Sequence, residues 1–187
     1  MSTTARLNDL DIEAIKTLVA AVRSDPEKAQ TIWRADIHWE GGFRTTASVR
    51  EFSGLISDEP SALAGSDLAP NPVEQLAAAL GHCLAVGYVA ALTAHDIEIR
   101  SLEVAVSGEI DLRPFLGVED GHAGYRHLTA EARIDADTDP ETLRAIHEHV
   151  VATSPVGTTL TQPVPVDVEL VLRARTGRRA GADQETT

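Results

Sequence analysis

Cys83 is the only cysteine in a chain of 187 residues, and it is the strongest nucleophile the sequence offers. A reactive cysteine needs a cation or a hydrogen-bond donor to hold its thiolate. Arg44 is a candidate: a guanidinium delivered to Cys83 would favour the thiolate and dock an anionic or peroxidic oxygen. Arg34 and Arg50 are the other strand arginines, and such residues usually face solvent. Glu74 lies nine residues before Cys83, about 13.5 Å away along a helix axis and turned to the opposite face. It therefore cannot easily reach Cys83 of its own chain. If the two share one site, a second subunit supplies one of them. A plainer reading also stands: Cys83 as a small buried hydrophobe and Glu74 as a carboxylate complementing the helix dipole.

Other chemistry finds little support. The seven histidines do not cluster: His147 and His149 diverge on a helix, unlike a metal pair spaced by four. His82 adjoins Cys83 but points about 100° away from it. There is no glycine-rich phosphate loop, no Gly-x-Ser-x-Gly elbow and no basic–aromatic strip. We expect no metal and no cofactor.

The element that must position Cys83 is a helix over residues 72–95. Asn71 caps it, Pro72 occupies its first turn, and residues 75–92 are almost uncharged. A helix apolar on every side is a buried one; it is too short and alanine-rich, with acidic flanks, to read as a membrane span. Before it, residues 31–39 and 43–50 read as two strands of a hairpin about Gly41-Gly42, and residues 53–71 as a long loop. After it come strands over 97–112 and 125–136, a helix from Asp139-Pro140 to about 153, and a last strand over 164–172 in strict alternation. Residues 9–23 repeat apolar positions at three- and four-residue spacing, an amphipathic helix capped by Asn8 or Asp9. Asp25-Pro26 opens a short second turn. The chain divides into a helical arm (1–30), a main domain (31–174) and a disordered polar tail (175–187). This order is α+β, with antiparallel strand pairing.

Composition narrows the function. Sixteen Lys and Arg against 29 Asp and Glu give a net charge of −13, which argues against nucleic acid or an anionic membrane as partner. A hydrophobic fraction of 43% supports a packed core. One cysteine excludes an internal disulfide framework and multi-cysteine metal sites. The N-terminus lacks an apolar signal core, so the expected compartment is the cytoplasm.

The run Asn71-Pro-Val-Glu-Gln-Leu-Ala-Ala-Ala-Leu-Gly-His-Cys83-Leu-Ala resembles the OsmC/Ohr family. Trp39-Glu-Gly-Gly-Phe-Arg44, Leu63-Ala-Gly-Ser-Asp67, Thr153-Ser-Pro-Val156 and Thr159-Leu-Thr-Gln-Pro163 resemble other family segments, so the likeness extends from about Ile32 to Leu172. It implies an OsmC-like fold: antiparallel sheets flanking a buried central helix in an intertwined homodimer, with sites at the subunit interface. Active family members are thiol peroxidases for organic hydroperoxides. The resemblance makes Cys83 the nucleophile, Arg44 its thiolate and peroxide partner, and Glu74 the orienter of Arg44. It also implies a second, resolving cysteine late in the chain, where this sequence has Ser154-Pro155. Val73 stands where Ohr-type proteins have the helix-start Glu, with Glu74 one place on. Two readings follow. One is a single-cysteine hydroperoxide reductase recycled by an external thiol. The other is a non-catalytic dimer that binds a small apolar molecule near the central helices. Ser154 cannot form a disulfide, and replacing it is expected to change the peroxide reaction little.

Overall fold

The computed structural model describes residues 6–172; the tail expected from residue 175 lies outside them. The chain begins with a small hairpin, β1 (Arg6–Leu7) and β2 (Leu10–Asp11). Its two-residue turn puts Asn8 and Asp9 at φ 52° and 59°, the left-handed region that asparagine and aspartate tolerate best after glycine. These two residues were candidate helix caps. They form the turn instead, and Asp11 caps α1 (Ile12–Ser24) by accepting the Ala14 N–H. A 3-10 turn over Pro26–Ala29 follows, at the expected Asp25-Pro26.

Next comes a three-stranded antiparallel sheet in the order β3 (Asp36–Gly41), β4 (Arg44–Val49), β5 (Phe52–Ser57). The turn between β3 and β4 is at Gly42-Phe43, with Gly42 at φ 58° and its carbonyl accepting the Trp39 indole N–H. The first strand starts at Asp36, five residues later than the alternation suggested. All of β5 after Phe52 lies within the stretch expected to be loop. Arg50-Glu51 turns the chain tightly, and Thr45, Thr46 and Ala47 on β4 pair with Ser57, Ile56 and Leu55. Gly54 and a single short apolar run disguised that strand.

The loop proper, 58–71, is organised by Asp58. Its buried carboxylate accepts the backbone N–H groups of Glu59, Ser66 and Leu68. It delivers the chain to α2 (Pro72–Ala94), which opens as expected with Asn71 as cap and Pro72 in the first turn. A long hairpin of β6 (Ile99–Ile110) and β7 (Tyr125–Ala136) follows, its connection carrying a short α3 (Leu112–Phe115). Then come α4 (Pro140–Thr153), capped by Asp139, and α5 (Pro155–Thr161), capped by Ser154. α5 was not expected.

The core forms where α2 packs on β6, α4 and α5. Leu80, Leu84, Tyr88 and Leu92, spaced by four, make one buried stripe of α2. Leu102, Val104, Val106, Leu128, Ala132 and Ile134 meet it from the hairpin, and Ile146 and Val150 from α4. Gly87 lets α4 in: a Cβ there would lie 2.8 Å from Val150 Cγ1. By length and composition α2 could cross a bilayer, but in this fold it is the core helix. Within one chain, however, it is buried on one face only; Leu76 and Val86 remain exposed.

The expected last strand is absent. Residues 163–172 form no helix or strand, because no edge of the chain's own sheets pairs with them. Val164, Val166, Val168, Leu170 and Leu172 are all exposed.

Candidate functional site

Cys83 lies mid-way along α2, half-buried and unpaired as a disulfide. The antiparallel packing of α2 and α4 explains what it meets. Val150 fits against Gly87, and one helical turn further along α4 is Ser154, opposite the residue one turn earlier on α2, Cys83. The Ser154 hydroxyl donates a hydrogen bond to Cys83 Sγ at 3.3 Å. It also accepts the Gly157 N–H at 3.1 Å, which caps α5. Pro155 fits the first turn of α5 because its missing N–H would have had no partner there.

Glu74 is tied up at the start of α2. One of its carboxylate oxygens accepts the Asn71 N–H at 2.8 Å, while Asn71 Oδ1 accepts the Glu74 N–H at 2.9 Å. This reciprocal capping box stabilises the helix start. Glu74 also lines a groove of about 620 Å³ between α2 and β6, with Ala77, Ala78, Gly81, His82 and Tyr125. Cys83 is not on that wall, so the two residues face different surroundings, as their spacing requires.

Arg44 stands at the start of β4, opposite Gly41. Among the described residues it makes no ion pair and no side-chain hydrogen bond. Its sheet is joined to the rest of the chain mainly around the start of α2, where Ser57 Oγ donates to the Pro70 carbonyl and Gln75 Nε2 to those of Ile56 and Pro70. One chain therefore brings Cys83 and Ser154 together and leaves Arg44 and Glu74 apart from them. Ser154 was visible in the sequence only as a missing cysteine. Its signal as a partner was the Ser-Pro pair at a helix start, a cap that must have its hydroxyl turned toward backbone and core.

Among the described residues no cluster of His, Cys, Asp or Glu could hold a metal ion.

The architecture and the central-helix cysteine together define the class. The OsmC-like protein family model matches residues 65–169, more than half of the chain, and the protein belongs to that family. Solved structures agree in fold. An OsmC-like protein from Mycoplasma pneumoniae is 19% identical with a TM-score of 0.61, covering 71% of this chain and 89% of that one. An organic hydroperoxide resistance protein OsmC from Legionella pneumophila is 15% identical with a TM-score of 0.53, covering 70% and 89%. An organic hydroperoxide resistance protein from Elizabethkingia anophelis is 16% identical with a TM-score of 0.51, covering 69% and 87%. No match is found among curated proteins.

Proposed function

We propose that this protein is a single-cysteine thiol peroxidase for organic hydroperoxides, working as a homodimer. The observation that carries the reading is a half-buried cysteine on the central helix of an OsmC-like fold, hydrogen-bonded to a buried hydroxyl. The Cys83 thiolate attacks one peroxide oxygen; the O–O bond breaks, and the alkoxide leaves and takes up a proton as an alcohol. Cys83 becomes a sulfenic acid. With no second cysteine in the chain, an external small thiol condenses with it, releasing water and leaving a mixed disulfide, and a second thiol restores the enzyme. Such thiols are available in a reducing cytoplasm.

Arg44 of the partner subunit would supply the cation, and Glu74 would orient it. Dimerisation is supported by the apolar surface one chain leaves open. By the strand register, Ile37, Trp39, Ala47 and Leu55 share one face of the β3–β5 sheet, and the first two and Leu55 are exposed. The alternating segment 164–172 adds a second unpaired apolar row. We take residues 1–30 as an arm added to the family core.

The test is intact-mass spectrometry after one equivalent of cumene hydroperoxide at neutral pH. One added oxygen on Cys83, slower formation in Arg44→Ala and none in Cys83→Ser is the expected result. A Cys83 that stays reduced under millimolar hydroperoxide ends this reading. The groove beside α2 would then favour the second one, a dimer that binds a small apolar molecule without chemistry.

A further inference from the structure

A serine hydroxyl can donate once and accept through two lone pairs. At Ser154 both capacities are directed. The Gly157 N–H is received at 3.1 Å, and the hydroxyl proton points to Cys83 Sγ at 3.3 Å. Only 4% of Ser154 is exposed, so water does not compete for that proton. A thiol sulfur is a weak acceptor and a thiolate a stronger one, so a fixed donor favours the charged form. The N–H received from Gly157 polarises the hydroxyl and strengthens what it donates.

Few other groups can serve the sulfur. Ser154 is the one side-chain hydrogen-bond partner of Cys83 among the described residues. Of the elements packed on α2, α5 carries no charged residue. On α4 the His147 ring is bound to the Tyr88 hydroxyl, and Glu148 and His149 are exposed. On β6, Arg100 pairs with Asp135 and Glu103 with Arg133. His82, next along α2, lines the groove on another face.

We propose that Ser154 is a positioning residue for Cys83: its buried hydroxyl donates to the sulfur and favours the thiolate over the thiol. This rests on reading Cys83 as the nucleophile. It replaces the expectation that Ser154 is inert. A serine gives the sulfur a donor without giving its sulfenic acid a partner, so the oxidised state waits for an external thiol.

The experiment is the pH profile of Cys83 alkylation by iodoacetamide in the full chain, which needs no peroxide. Ser154→Ala should move the midpoint up, because the variant lacks the one side-chain donor to the charged sulfur. Ser154→Gly removes the hydroxyl while keeping an acceptable helix cap, so it covers the case in which the alanine variant does not fold. The same shift is expected for it. Ser154→Thr, which restores a hydroxyl, should return the profile toward the parent. A folded Ser154→Gly protein that alkylates along the parent profile overturns the proposal. A shifted profile with Cys83 inert to cumene hydroperoxide would instead sink the peroxidase reading and leave the Ser154 assignment standing.

Discussion

Two regions of this chain handle their apolar residues in opposite ways. In the body, α2, the β6–β7 hairpin, α4 and α5 bury a continuous stripe, and Leu92 within it is 0% exposed. In the β3–β5 sheet and the segment after α5, residues of the same kinds stay open: Trp39 is 75% exposed and Leu170 81%. Among the described residues seven hydrophobics are buried and 27 large ones are exposed, too many for scattered surface positions. The body closes on its own chain, whereas the sheet is shaped by its own hydrogen bonds and leaves an apolar face open. The candidate site divides along the same line, with Cys83 and Ser154 in the body and Arg44 on the sheet.

The largest effect should come from the body. Leu92→Ala leaves a cavity in a closed core and should cost about 2–5 kcal/mol in urea unfolding, whatever the protein concentration. Leu55→Ala, on the open sheet face, should cost little per chain in dilute protein, and its cost should rise to a plateau as concentration fills the dimer. Equal, concentration-independent losses would erase the distinction between the regions.

The next prediction places charges on the sheet. The parent should sediment at about twice the 20.0 kDa chain mass, and Ile37→Asp with Leu55→Asp at the single-chain mass. In that variant the effect of Ser154→Ala on alkylation should persist, because both partners are in one body. The effect of Arg44→Ala on hydroperoxide reaction should vanish, because the cation no longer arrives. A parent that sediments as a single chain at micromolar concentration would remove the dimer and the shared site together.

A smaller effect is expected at the arm. Asn8 Nδ2 donates to Thr93 Oγ1 and to the Ile97 carbonyl, and its Oδ1 accepts the Ile99 N–H, each at 2.9 Å. These three bonds fasten the arm to the end of α2 and the chain leading into β6, while no α1 side chain is buried. Asn8→Ala should cost about 2 kcal/mol and speed amide exchange throughout α1. Unchanged exchange there would mean that the apolar face of α1, not Asn8, holds the arm.

The smallest concerns acid. Hydrogen bonds from Thr142, then from the Glu141 backbone, hold the Asp139 carboxyl below its ordinary value of 3.8. A depressed carboxylate contributes stability above that value and loses it as pH falls through its folded value. Asp139→Ala should lower the melting temperature slightly at neutral pH, and the gap from the parent should close as pH falls through the lowered folded value. A gap that persists there would assign the loss to helix propensity and not to the charge.

The local elements were open to reading from the residues alone. Asn71-Pro72 and Asp139-Pro140 mark helix starts through the chemistry of their own side chains, and α2, β7 and α4 stand where the sequence places them. Cys83 could be assigned to the middle of the central helix, and its separation from Glu74 follows from helical geometry. Pairing across the fold was a different matter. The alternation of residues 164–172 states what that segment could bury, but a strand forms only where a sheet edge receives it, and among the described residues none of the chain's own strands pairs with it. The short run of β5 became a strand because β4 lay beside it. Ser154 could be read from the sequence only as the absence of a sulfur. It took the approach of α4 at Gly87, 71 positions of chain folded back between Cys83 and Ser154, to aim its hydroxyl at the cysteine. Capping and period act within a turn or two and are written locally, whereas a hydrogen bond between distant residues depends on packing that only the folded chain creates.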